Sequence, residues 1–217
     1  MCDLPQRDWT VLLLGGPSGS GKSTVAEQVG RRFGVPWLQV DDLRLSLQAS
    51  RVMLPQATES LYFFLAHPDV WALPPERLRD GLIAVGKAIA PAIAAVIEHH
   101  VATAKPLVIE GDGIHPSLIE RPGVAEYVAD GRVQAVFLIE PDEQVLLANS
   151  RGREGRRLLH LATEPTAQEW NMAGMNALYG QWIAAEAGHR GLPIVGPRPW
   201  ATVAERVVSA STRHETP

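Results

Sequence analysis

The chain has a single cysteine, Cys2, among 217 residues, so an internal disulfide is excluded and a reducing compartment is the expectation. It also lacks a strong charge of either sign: a net charge of -4 gives no overall attraction to nucleic acid. It lacks a long uninterrupted apolar run. The longest, Leu82 to Ile97, carries Lys87 and Pro91 and falls short of the ~20 apolar residues that a membrane span needs. "VLLL" (11–14) is too short for the apolar centre of a signal peptide and follows "DLPQRD" in place of a basic segment. No internal repeat or low-complexity tract is visible. What remains is a globular composition, 46% hydrophobic and 20% charged, expected as one cytoplasmic domain over 1–217.

Five short apolar runs have strand character: "WTVLLLG" (9–15), "PWLQV" (36–40), "PLVIEG" (106–111), "VQAVFLIE" (133–140) and "LPIVG" (192–196). They are rich in Val, Ile and Leu without clean alternation, as strands buried on both faces of a parallel sheet are. Helical patterns lie between them. The first covers Lys22 to Phe33 and stops at Gly34; others follow at 43–50, 166–188 and 200–210. This alternation predicts an α/β fold, a five-stranded parallel sheet in a three-layer sandwich with helices on both faces. The gap between the second and third strands is long. It predicts a helical insertion at 51–104, whose segment from Pro75 to Ala102 would run ~40 Å with a kink at Pro91.

"GGPSGSGKST" (15–24) joins the first strand to the first helix and fits G-x-x-x-x-G-K-[ST] at every fixed position. A polyphosphate needs several converging backbone N–H groups, and glycine permits both the close approach and the unusual dihedrals. The helix adds its positive N-terminal end. Gly16, Ser18, Gly19, Ser20, Gly21, Lys22, Ser23 and Thr24 are thus candidates for binding a nucleotide, with Lys22 on the β- and γ-phosphates and Ser23 on Mg²⁺. The bland alternative is a glycine-rich turn between a strand and a helix.

With "VDDLR" (40–44) after the second strand and "VIEGDGIHPSLI" (108–119) after the third, the chain resembles the small P-loop kinases. More narrowly it is similar to the group holding 2-phosphoglycerate kinase-like, chloramphenicol phosphotransferase-like and zeta-toxin-like kinases. The resemblance covers roughly 9–50, 105–160 and 190–210. It implies ATP as donor, Mg²⁺ as partner ion and a small-molecule hydroxyl as acceptor.

Asp41 and Asp42 should emerge at the carboxyl end of the second strand, the edge where open α/β sheets bind ligands. The resemblance favours Asp41 as the carboxylate at the acceptor hydroxyl; Asp42 is either an alternative base or the N-cap of the helix at 43–50. Glu110 and Asp112 end the third strand. Glu110 stands where a Walker B acid would, and either residue would order the Mg²⁺ shell or contact the acceptor, unless Asp112 merely makes an Asp-Gly turn. Arg44 and His115 are further acceptor candidates, each with a structural alternative.

Arg151, Arg153, Arg156 and Arg157 lie in 142–160, where small kinases carry a lid, and arginine forks suit the charge on a transferring phosphoryl group. Gly152 and Gly155 break the helical pattern there. Arg153 and Arg157 are the catalytic candidates and Arg151 a nucleotide contact; a solvated basic face is the alternative. Arg198 and Pro199, after the fifth strand, would flank the adenine, with Trp200 as a helix staple. Trp170, Tyr179 and Trp182 at helical spacing read as core. No guanine-reading N-K-x-D is present, as "LANS" (147–150) lacks the spacing. The second function considered is a P-loop ATPase or nucleotide switch without an acceptor. The insertion supplies Tyr62, Phe63, Phe64 and Trp71 for an acceptor with a nonpolar body, and its few arginines fit 2-phosphoglycerate poorly.

Overall fold

The computed structural model describes residues 7–54, 57–66, 68–154 and 164–212, with Arg153 and Glu154 described by backbone alone. Its strands are β1 (Val11–Gly15), β2 (Trp37–Gln39), β3 (Leu107–Gly111), β4 (Val133–Leu138) and β5 (Ile194–Val195). Its helices are α1 (Lys22–Phe33), α2 (Val40–Ala49), α3 (Thr58–Leu61), α4 (Phe63–Ala66), α5 (Pro75–Ala102), α6 (Ala125–Ala129), α7 (Glu143–Glu154), α8 (Ala167–His189) and α9 (Val203–Ser211). The strands form one sheet in the order β2-β3-β1-β4-β5, and every pairing is parallel. The α/β architecture is therefore the expected one.

The period of two along each strand divides the core into two layers. Val11 and Leu13 of β1 join Ile109, Ala135 and Phe137 on the face covered by α5 and α8. Leu12 and Leu14 join Val108, Val136 and Leu138 on the other face, under Val25, Val29 and Phe33 of α1 and Val203 and Val207 of α9. All five β1 residues are buried, which is why that strand reads as an unbroken apolar run.

α1 is delimited by two glycines in left-handed backbone, Gly21 at φ 92 and Gly34 at φ 63, with Arg31 and Arg32 in its last turn. Few side chains relieve both conformations, and the basic residues complement the helix dipole. α5 is long and apolar enough to cross a bilayer by length and composition. Here it is a core helix, burying Leu78, Leu82, Val85, Ile89, Ile93 and Ile97 against the sheet and α8. Pro91 is exposed and α5 continues through it, at the cost of the helical hydrogen bond to the Lys87 carbonyl.

Two expectations are corrected. α2 starts at Val40, whose side chain is buried, and its N-cap position is Gln39 in extended backbone. Asp41 and Asp42 therefore stand in the first helical turn, and Asp42 is not a cap. The described part of α7 runs unbroken through Gly152 to Glu154; Gly155, Arg156 and Arg157 lie outside the described residues.

Candidate active site

The loop after β1 is built from glycines that no other residue would replace without strain. Gly16, Gly19 and Gly21 have φ of 137, 90 and 92. A Cβ on Gly16 would lie 2.1 Å from the Leu138 carbonyl oxygen, so β4 presses directly on the loop. α8 holds it from another side. The Asn176 side chain, itself buried, accepts from Ser18 N–H at 3.0 Å and donates to Met172 O at 2.9 Å. From α7, Asn149 donates its amide to Gly19 O at 2.9 Å. Sequence reasoning missed both asparagines, since their contacts cross much of the chain.

Within this cradle the Ser20 side chain is buried and its hydroxyl has no hydrogen-bond partner among the described residues. Lys22 is also buried and donates from Nζ to Pro17 O at 2.9 Å. α1 begins here with no side-chain cap on its N-terminal N–H groups. An orphaned hydroxyl, an uncapped helix start and a buried ammonium together fit a polyanion. Beside them is an open pocket of about 180 Å³ lined by Gly19, Gly21, Lys22, Ser23, Thr24, Asn149 and Trp200.

Ser23 Oγ donates to Glu110 Oε1 at 2.7 Å. Glu110 is 3% exposed, and burial pushes its carboxyl pKa up, with Lys22 and the Ser23 hydroxyl pulling it down. The parallel register puts Glu110 level with Leu14 of β1 and Gln39 of β2. Asp112 also has a raised pKa, from burial first and then from Asp41. Its carbonyl accepts from the Tyr179 hydroxyl. Asp41 is half-exposed and bonded to Arg44 at 2.9 Å. Lys22, Ser23, Asp41, Arg44, Glu110 and Asp112 thus belong to one electrostatic cluster at the carboxyl edge of the sheet. Asp42 is exposed and takes no part in it. Among the described residues, no three His, Cys, Asp or Glu side chains gather as a metal cage. The Ser23–Glu110 pair fits an ion such as Mg²⁺, which keeps most of its waters and takes few protein ligands.

Other candidates fall elsewhere. His115 is 3% exposed, packed edge-on to Trp182 with ring centroids 4.8 Å apart, and Gly86 of α5 lies against its Nε2. Burial, with Lys87 adding to it, lowers its pKa to about 4. The ring is packed in the core between α5 and α8. Arg151 lies 3.5 Å from Glu169, the residue that completes the capping box of α8 with Thr166, so it ties α7 to α8. Arg153 is in the last turn of α7, and Arg157 is outside the described residues. Arg198 and Pro199 are exposed and do not line the pocket, whereas Trp200 does. Tyr179 is fully buried and Trp182 packs against the core, but Trp170 is 40% exposed, against expectation. Phe64 stacks on Trp71 at 5.1 Å, Phe63 lies on Gly81, and the Tyr62 hydroxyl meets Gln48 O and Val52 O at 3.4 Å. These aromatics fasten the first part of the insertion to α2 and to α5, its long helix.

No family model matches the chain. Among curated proteins it is similar to the 2-phosphoglycerate kinase of Methanocaldococcus jannaschii, 24% identical over 198 residues, covering 85% of this chain and 57% of that protein. It is also similar to the 2-phosphoglycerate kinase of Methanothermobacter thermautotrophicus, 26% identical over 210 residues, covering 94% of this chain and 65% of that one. The chain therefore spans less than two thirds of the length of either relative. Among solved structures, a gluconokinase from Sinorhizobium meliloti 1021 superposes with a TM-score of 0.52 at 18% identity, covering 95% of this chain and 93% of that one, which is a likeness of fold. The sheet order and the sequence similarity agree, and the chain is a distant homologue of the 2-phosphoglycerate kinases with the fold of the small P-loop kinases.

Proposed function

We propose that the chain is an ATP- and Mg²⁺-dependent kinase that phosphorylates a hydroxyl group of a small molecule. The observation that carries this reading is the meeting of three features at one sheet edge. They are the glycine cradle with its buried Lys22, the Ser23–Glu110 pair, and the half-exposed Asp41 within their electrostatic reach.

In this reading the backbone from Gly16 to Thr24 and the Lys22 ammonium hold the donor phosphates. Ser23, with Glu110 hydrogen-bonded to it, would hold Mg²⁺, and the ion when bound would neutralise phosphate charge. Asp41 accepts the proton of the acceptor hydroxyl while that oxygen bonds to the γ-phosphorus. The bond from that phosphorus to the β–γ bridging oxygen breaks, and ADP leaves with the electron pair. Arg44, bonded to Asp41, orients the carboxylate and is placed to meet an anionic group on the acceptor. Asp112 borders the acceptor, and Arg153 and Arg157 are the proposed cations on the transferring group. In the same reading the insertion at 51–104 is the acceptor cover and 142–160 the lid, of which 155–160 lie outside the described residues.

The test is ATP turnover by the purified chain with Mg²⁺, alone and with a panel of hydroxyl compounds. The panel begins with 2-phosphoglycerate and other hydroxy acids and extends to antibiotics. Slow basal turnover that rises sharply with one acceptor, and is abolished by Lys22→Ala with the fold retained by circular dichroism, is the expected result. Fast turnover without any acceptor, insensitive to Asp41→Asn, overturns it in favour of a P-loop ATPase.

A further inference from the structure

Two polar side chains interrupt the apolar face that α8 turns to the core. Among the described residues of that helix, Asn176 and Tyr179 are the polar ones that are buried, at 7% and 0% exposure. Leucine and phenylalanine would fill these places without taking an amide and a phenol out of water. Each polar group instead ends on the backbone of a different loop.

Asn176 ends on the phosphate loop. Its Oδ1 accepts from Ser18 N–H at 3.0 Å and its Nδ2 donates to Met172 O at 2.9 Å, so the amide has one orientation. One turn on, a Cβ on Gly180 would lie 3.3 Å from Pro17 Cγ, so the helix packs directly on that loop. Tyr179 ends on the loop after β3, donating its hydroxyl to the Asp112 carbonyl. Asp112 stands between two glycines pressed on Val40. Added Cβ atoms would fall 2.6 Å from Val40 Cβ at Gly111 and 2.9 Å from Val40 Cγ1 at Gly113. Val40 precedes Asp41 in α2, so the carbonyl that Tyr179 holds and the Asp41 carboxylate belong to one packed unit.

Residues three apart on a helix share a face and are separated by ~4.5 Å of rise. α8 thus grips both loops from points one turn apart on one rod. In-line transfer needs reacting atoms ~3–3.5 Å apart, and a misplacement of ~1 Å costs about 10²-fold in rate. Resting on the kinase reading above, we propose that α8 sets the gap between donor and acceptor. Asn176 positions the phosphate loop and Tyr179 the loop of Asp112, each through the backbone it holds.

The experiment compares the whole wild-type chain with Asn176→Ala, Tyr179→Phe and Gly180→Ala. Donor binding is read by titration with inorganic tripolyphosphate and with ATP, both with Mg²⁺. Transfer is read as kcat and KM for ATP with the hydroxyl compound that most raises wild-type turnover. Tyr179→Phe keeps its ring in the core; it should lower kcat about 10–100-fold while both donor ligands bind within about three-fold of wild type. Asn176→Ala should weaken both donor ligands about ten-fold, the equivalent of one hydrogen bond no longer preorganising the loop. Gly180→Ala keeps both hydrogen bonds and crowds Pro17. It should weaken the donor ligands in the same direction without lowering the melting temperature, and it decides the donor arm if Asn176→Ala does not fold. An unchanged kcat in Tyr179→Phe overturns the proposal. So do equal losses of kcat and donor binding in Tyr179→Phe, or donor ligands that bind the other two variants as tightly as wild type. A wild type that binds ATP but transfers to no hydroxyl compound overturns the kinase reading, and this proposal with it.

Discussion

Ser23 and Glu110 meet through a 2.7 Å hydrogen bond, joining the first turn of α1 to the end of β3 across 87 residues of sequence. The bond fixes the serine hydroxyl at the cradle's exit and keeps a carboxylate in a place where burial opposes its charge.

That opposition separates stability from function. A folded-state pKa raised above the unfolded value means that ionising Glu110 costs stability as pH rises through the unfolded value toward the folded one. Glu110→Gln removes that cost at pH 7.5 and keeps an acceptor for Ser23. Its melting temperature should equal or exceed that of the wild type, while phosphoryl transfer falls roughly 10–100-fold through weaker metal binding. Thermal unfolding and a Mg²⁺ titration of turnover measure the two effects. A variant that is as active as the parent at low Mg²⁺ removes Glu110 from the site.

The two neighbouring acids of α2 should behave unlike each other. Asp41 is within the field of Glu110 and Asp112, whereas Asp42 is exposed and its carbonyl accepts from the Ser46 hydroxyl at 2.7 Å. Asp41→Asn should lower kcat by about 10²–10⁴-fold, the usual range for a lost general base. Asp42→Asn should stay within about three-fold of wild type. Equal losses at both positions would mean that the acids serve the start of the helix.

How far these features were legible in the sequence depends on the range of the forces behind them. α1 was readable to its end residues because the glycines that bound it act locally. β1, β3 and β4 were readable because burial on both faces leaves continuous apolar runs, whereas the edge strands β2 and β5 are shorter and partly exposed. The start of α2 was not readable, because acids favour caps, yet burial of Val40 begins the helix three positions early. Nothing within "GDGIHP" tells that α5 and α8 close over His115. Asn149, Asn176 and Trp200 join the site only through tertiary contacts, so a motif search along the chain passes them by.

The burial of His115 has a measurable pH signature. Its folded-state pKa is about 4 against an ordinary 6.5, so the unfolded chain takes up a proton that the folded chain refuses. The contribution of this group is intact above pH 6.5 and is lost as pH falls toward 4. At pH 5 the loss amounts to about 2 kcal/mol. Urea denaturation at pH 7.5 and pH 5 should show the wild type losing about that much more than His115→Leu between the two conditions. Identical losses in the two proteins would place the ring in water.

The same ring explains a glycine in the middle of α5, where helix propensity argues for alanine. A Cβ on Gly86 would sit 2.1 Å from His115 Nε2, and the imidazole is boxed in by Trp182 at 4.8 Å and Tyr179 at 6.1 Å. Gly86→Ala should therefore cost about 1–3 kcal/mol by overpacking, despite removing a poor helix former. In a His115→Ala background the new methyl group meets space, and only the propensity gain of about 1 kcal/mol remains. The sign of the Gly86→Ala effect should then reverse, giving a coupling energy of about 2 kcal/mol or more in a double-mutant cycle. Equal costs in both backgrounds would show that the glycine answers to something other than the histidine.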